Sequence, residues 1–117
     1  MTALVILTIR LADSLMLRER LGVMKVVIHT LEDAISCDAK SSCRVGGFFV
    51  DRPLVTTGAG DNFNGGLCAG LLLDLPPDQQ LMLANGAASY YVYSGGSGSI
   101  KCILNYLNKR TGEENAI

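Results

Sequence analysis

The sequence predicts an α/β domain whose sheet is covered on both faces. Two observations lead there. A helical stretch around Ser14–Leu21 stops at Gly22 and is followed at once by the apolar run Lys25-Val26-Val27-Ile28-His29; helix, glycine, then apolar strand is the α/β pattern. That run is continuously apolar rather than alternating, which suits a strand buried on both sides.

In chain order, Ala3–Ile9 is short, apolar and rich in β-branched residues, and reads as a buried strand. Asp13 or Ser14 begins a helix with Leu15, Leu17 and Leu21 on its apolar side, and Gly22 is its natural stop. Thr30–Ser36 reads as a solvated acidic turn carrying Glu32 and Asp33. Ala34–Cys37 and Arg44–Val50 read as strands, antiparallel and joined by the polar loop Asp38–Ser42. Gly46-Gly47 marks a bulge or bend in the second, and Pro53 fixes the approach to the next loop.

Gly58–Leu73 reads as a central helix with its start. Gly65, Gly66, Ala69 and Gly70 give it a side on which another backbone can pack closely. Asp74–Asp78 breaks the chain, with Pro77 at or near the start of the next helix. Gln79–Tyr93 is a second helix, turning Leu81, Leu83 and Ala84, then Ala87, Ala88 and Tyr91, toward the core. Ser94–Ser99 is a glycine-serine loop that composition alone reads as a flexible linker. Ser99 caps a last helix, Ile100–Asn108, with Ile100, Leu104 and Leu107 as its stripe. Thr111–Ile117 reads as a frayed tail.

Length and composition narrow the function classes. The 117 residues make one domain, and 49% hydrophobic against 18% charged content supports a packed core and excludes disorder. A net charge of −1 gives no attraction to nucleic acid or an anionic membrane, and the absence of Trp leaves no obvious stacking platform for bases. Cys37, Cys43, Cys68 and Cys102 form no Cys-x-x-Cys pair, so they read as free thiols in a reducing compartment, and no metal site is expected from them and the single His29. His29 itself reads as a structural hydrogen-bonding residue. Met1–Ile9 has no basic leader or cleavage site, and Leu67–Leu73 is too short to span a bilayer. The expected location is cytoplasmic.

The stretch that carries chemistry is Thr56-Thr57-Gly58-Ala59-Gly60-Asp61. Glycines allow close backbone approach. The first N–H groups of a helix lack internal partners and, with the helix dipole, favour an anion. A carboxylate at 61 beside such a loop is the arrangement that phosphoryl transfer needs. The dinucleotide fingerprint fails, since position 63 is Phe where a third Gly is required, and the P-loop fails, since no Lys lies between Lys40 and Lys101. On loop chemistry alone, a glycine-rich helix start with Asp61 as an ordinary first-turn acid fits equally well.

Thr56-Thr57-Gly58-Ala59-Gly60-Asp61-Asn62-Phe63-Asn64-Gly65-Gly66 resembles the C-terminal signature of the ribokinase/PfkB family of carbohydrate kinases, and the resemblance runs from about Leu11 to Leu107. It implies a ribokinase-like fold, a Rossmann-like three-layer α/β/α arrangement, of which this chain is the C-terminal part. It makes Asp61 the base that takes the proton from a sugar hydroxyl, with the backbone of Gly58, Ala59 and Gly60 holding the transferred phosphate. It places Thr57, Asn85, Gly96 and Ser99 at the nucleotide, with ATP and Mg2+ as cofactors and a sugar or nucleoside as substrate. Where the family carries an Asp before the two threonines this chain has Val55, which counts against a monovalent cation, and the family's Asn-x-x-Glu motif does not occur. Family members are longer, with most of the sugar pocket and the lid in their N-terminal portion. A homodimer or a complementing N-terminal half is therefore expected to cover core surface left exposed. The competing readings are a shortened, non-catalytic module that binds nucleotide or a partner chain, and a generic Rossmann-like ligand domain.

Overall fold

The apolar run at Lys25–His29 forms a strand, and the rest of the sheet is built outward from it. The computed structural model describes residues 2–4, 11–30 and 32–115. Its elements are β1 (Thr2–Leu4), α1 (Leu11–Leu21), β2 (Lys25–His29), β3 (Asp33–Asp38), β4 (Ser42–Gly46), α2 (Ala59–Leu72), α3 (Pro77–Ser94) and α4 (Ile100–Asn115). The four-stranded sheet has the order β1-β2-β3-β4, with β1 parallel to β2 and the other two pairs antiparallel. Of the predicted strand Ala3–Ile9, Val5–Ile9 lies outside the described residues. So do Leu31 and, at the C-terminus, Ala116 and Ile117.

Both faces of β2 and β3 are covered. Val27 and Ala34 pack with Phe63 and Leu67 of α2 and with Leu81 and Ala84 of α3. Strand alternation puts the buried Val26, Ile28 and Ile35 on the opposite face, and α1 packs against β2 and β3. The β3–β4 turn is held by the Asp38 carboxylate, whose Oδ1 accepts the N–H groups of Lys40 and Ser41, both at 2.8 Å.

The strand expected over Arg44–Val50 stops at Gly46. Gly47 donates its N–H to the Glu32 carbonyl instead (2.7 Å), and the chain then leaves the sheet to run over the helices. There the Arg110 guanidinium donates to the Phe49 carbonyl at 2.7 Å, and Leu54 donates to the Val92 carbonyl at 2.9 Å. This crossing delivers the chain to the start of α2.

Of the small residues expected to line a close approach in α2, Gly66 and Gly70 do so, whereas Gly65 lies off that side. A Cβ on Gly66 would lie 2.9 Å from the Cα of Ala84, the Cβ of Ala87 and the Leu83 carbonyl, so α2 and α3 approach backbone to backbone. Gly86 instead makes room for a side chain of α4, since a Cβ there would meet Leu107 at 2.8 Å. The first turn of α3 is tied down by Gln80, which donates to the Leu75 carbonyl (2.7 Å) and accepts from Lys25 Nζ (2.6 Å). Ser99 caps α4, its Oγ accepting the Cys102 N–H at 3.2 Å. Beyond Asn108, α4 continues through Asn115, across most of the expected tail. Thr111 Oγ1 donates back to the Leu107 carbonyl (2.9 Å), and the Arg110 bond to Phe49 anchors the preceding turn. No helix among the described residues is long and apolar enough to cross a membrane.

Candidate active site

Gly58 is where the chain turns into α2. It has φ 99° and ψ −3°, a left-handed conformation that costs glycine little. Its carbonyl accepts from both the backbone N–H (3.1 Å) and the side-chain Nδ2 (3.0 Å) of Asn62. The carbonyl before it, on Thr57, accepts from the Tyr91 hydroxyl at 2.7 Å. The N–H groups follow from these constraints. Ala59 donates to the Thr56 carbonyl (3.2 Å), whereas the N–H groups of Gly58, Gly60 and Asp61 meet no acceptor among the described residues. No side chain caps the helix. The start of α2 thus presents unmet donors at the positive end of its dipole.

Asp61 is the third residue of α2 and is exposed. It makes no ion pair among the described residues. A cavity of about 310 Å³ opens beside it, in the angle between α2 and α3, bordered by Asp61, Asn62 and Gly65 on one side and by Ser97, Gly98 and Ile100 on the other. A carboxylate with no salt-bridge partner, on a cleft and one residue from an N–H that lacks an acceptor, is placed to accept a proton while those donors meet an anion.

Behind the loop, His29 at the end of β2 stacks on Phe63, with ring centroids 4.2 Å apart and planes 17° apart. Its Cε1 would be 3.6 Å from a Cβ on Gly60. Partial burial pushes the His29 pKa below its ordinary value. The unfolded chain therefore takes up this proton before the folded one does, so His29 favours the fold fully above about pH 6.5, its unfolded-state value. That contribution shrinks as pH falls through this value and is gone once pH is below the folded-state pKa. The expected result is a Tm that declines on acidification from neutral pH, with a weaker decline over the same window in His29→Gln. An unchanged slope in the variant would assign the acid sensitivity to other groups.

The remaining residues expected at the nucleotide sit in different settings. Thr57 is exposed on the loop, and only its carbonyl, held by Tyr91, has a fixed partner here. Asn85 is buried, and its Nδ2 donates to the carbonyls of Val45 and Gly46, each at 3.3 Å, which fastens α3 to the end of β4. Gly96 is folded against Ser94, whose Oγ donates to the Gly96 carbonyl at 2.8 Å, and Ser99 is the cap of α4. It is their neighbours Ser97 and Gly98 that border the cavity. Tyr91, Asn62 and His29 support the loop, and the sequence gives no local signal for any of them. Their partners lie on other elements or depend on the angle of the turn. Among the described residues no group of three or more His, Cys, Asp or Glu is placed to hold a metal ion.

A family model described as prokaryotic ketohexokinase matches residues 8–110. The ketohexokinase of Haloferax volcanii is 35% identical over 77 residues, which is 66% of this chain and 20% of that protein. The chain therefore spans about a fifth of the length of this curated relative. Among solved structures, an Escherichia coli protein described as Ribokinase II, in complex with ATP and Mg2+, superposes with a TM-score of 0.72 at 21% identity, over 83% of this chain and 33% of that one. Ribokinase of Thermotoga maritima gives 0.71 at 20% identity, over 84% and 34%. Phosphofructokinase-2 of Escherichia coli gives 0.71 at 16%, over 86% and 33%. At these identities the likeness is one of fold, and the fold is ribokinase-like.

Proposed function

Because the chain belongs to the prokaryotic ketohexokinase family, a family of sugar kinases, we propose that it carries the phosphate-binding and proton-accepting part of an ATP-dependent kinase acting on a sugar hydroxyl, a ketose in the first instance. The observation that supports this most is the start of α2, where a turn with unmet N–H groups leads directly into the exposed Asp61, which borders the cleft.

Phosphoryl transfer asks the protein mainly for position and for charge stabilisation. In the proposed reaction the sugar oxygen forms a bond to the γ-phosphorus as the bond to the β,γ-bridging oxygen breaks. Asp61 takes the hydroxyl proton, and ADP leaves. The N–H groups of Gly58, Gly60 and Asp61 meet the negative charge on the transferring phosphoryl oxygens. The Ala59 N–H donates to the Thr56 carbonyl, so the part assigned to Ala59 in this reading is to shape the loop. Mg2+ would be carried on the polyphosphate, where it offsets charge; such ions keep several waters and need few protein ligands. The adenosine is assigned to the cavity beside Gly96 and Ser99, with Thr57 at the phosphate end. Asn85 takes part by holding α3 in place.

A second reading is kept because the chain spans so little of its relatives: a module that binds nucleotide or a partner chain without turnover. The two are separated by following ADP and sugar phosphate formation by the 117-residue chain, with ATP, Mg2+ and a panel of ketoses, aldoses and nucleosides. Ketose-dependent ADP release, with the sugar phosphate identified by phosphorus NMR, is the expected result. ATP binding without turnover on any acceptor would favour the module, and no ATP binding would sink the kinase and the nucleotide-binding module, leaving only a module that binds a partner chain.

A further inference from the structure

We propose that Tyr91 is a positioning residue for the phosphate-binding loop, setting the direction of the Gly58 N–H. The inference rests on the phosphate-site reading above and adds a residue to it.

The geometry is that of a single peptide plane. The Thr57 carbonyl and the Gly58 N–H belong to one planar trans unit, so they point in opposite directions and fixing one fixes the other. The Tyr91 hydroxyl donates to that carbonyl at 2.7 Å, reaching up from α3. The N–H at the other end of the plane is one of the donors that meets no acceptor. The next plane, between Gly58 and Ala59, is held independently, by Asn62 on its carbonyl and by Thr56 on its N–H. Among the described residues, Tyr91 alone holds the first plane.

The same side chain limits what Gly58 can be. A Cβ at 58 would stand 2.8 Å from the Tyr91 oxygen, on a backbone with φ 99°. Loop and tyrosine are therefore fitted to each other: the glycine leaves room for the hydroxyl, and the hydroxyl holds the turn that the glycine permits. Tyr91 is half-buried and its hydroxyl bonds the carbonyl end of the peptide plane, opposite the unmet donor. It acts through Gly58 and does not touch the phosphate.

The test uses Tyr91→Phe in the full chain, which removes one oxygen and keeps the ring. Three quantities are read: Tm, ATP affinity in the presence of Mg2+, and the amide shifts of Gly58, Gly60 and Asp61 during the ATP titration. In the unliganded protein the Thr57 carbonyl carbon should also shift in the variant, as its hydrogen bond is lost. The expected result is a near wild-type Tm, ATP binding weakened by about five- to tenfold, and a Gly58 amide response much reduced while that of Gly60 persists. Wild-type affinity with an unchanged Gly58 response would overturn the inference and leave the kinase reading standing. A lowered Tm with the Gly58 response intact would also overturn it, as packing alone. If ATP moves none of these amides in the wild type, the phosphate site itself fails, and the inference with it.

Discussion

Replacing Asp61 by Asn is expected to lower sugar phosphorylation by about 10²–10⁴-fold, with ATP affinity and Tm close to those of the wild type. The separation follows from where the residue sits. Asp61 is exposed and has no ion-pair partner among the described residues, so the near-isosteric amide removes no structural contact. The backbone N–H of residue 61 is kept, so the phosphate loses no donor. What disappears is an oxygen that can take up a proton as the sugar oxygen attacks. An interaction needed only in the transition state lowers kcat and kcat/KM together and leaves KM nearly unchanged. Steady-state kinetics on the acceptor found active in the panel, with calorimetric ATP binding beside it, reads both quantities. Turnover close to wild type in the variant would take Asp61 out of the chemistry. A parallel loss of ATP binding would show a role in the ground state instead.

The largest expected stability effects come from two adjacent glycines of α2 with opposite signs. Both lie inside a helix, where Ala in place of Gly gains about 1 kcal/mol from propensity. At Gly65 a Cβ would meet nothing within 4 Å, so Gly65→Ala should stabilise by about that amount. At Gly66 the same methyl would press on Ala84, Ala87 and the Leu83 carbonyl at 2.9 Å. Two of those contacts are backbone atoms of α3, which cannot rotate away. Overpacking of this kind costs about 1–3 kcal/mol, enough to outweigh the propensity gain, and Gly66→Val should exceed it. For a domain of this size each kcal/mol moves Tm by about 4 °C or more. Melting curves of the two alanine variants should therefore lie on opposite sides of the wild type. A stabilised Gly66→Ala would mean that α2 and α3 separate at little cost.

These cases show what was legible in the chain and what was not. Features whose cause is local were readable: the Gly58 turn, Pro77 in the first turn of α3, the Ser99 cap, and the continuous apolar run of β2. The run of small residues in α2 announced a close approach but did not name α3 as the partner. The break of β4 at Gly46 was half readable, since the two glycines mark a departure from the ladder but not how far it goes. Residues defined by a distant partner were not readable. Asn85 on an otherwise small and apolar helix gives no sign that its amide is taken by the carbonyls of β4. The stacking of His29 on Phe63 joins a strand end to a helix start across 34 residues of chain, beyond any local pattern. The last turns of α4 are polar and read as a tail, yet Arg110 ties them to Phe49, far back in the chain.

The order of the sheet also bears on kinetics. Every strand lies beside the one that precedes it in the chain, and β3 and β4 are joined by a tight turn. Pairings between sequence neighbours close small loops and form early, whereas the parallel β1–β2 pair must wait for the intervening α1 to fold back. The hairpin end of the sheet is thus placed to nucleate assembly, and the β1 edge to join late and be the first to come away.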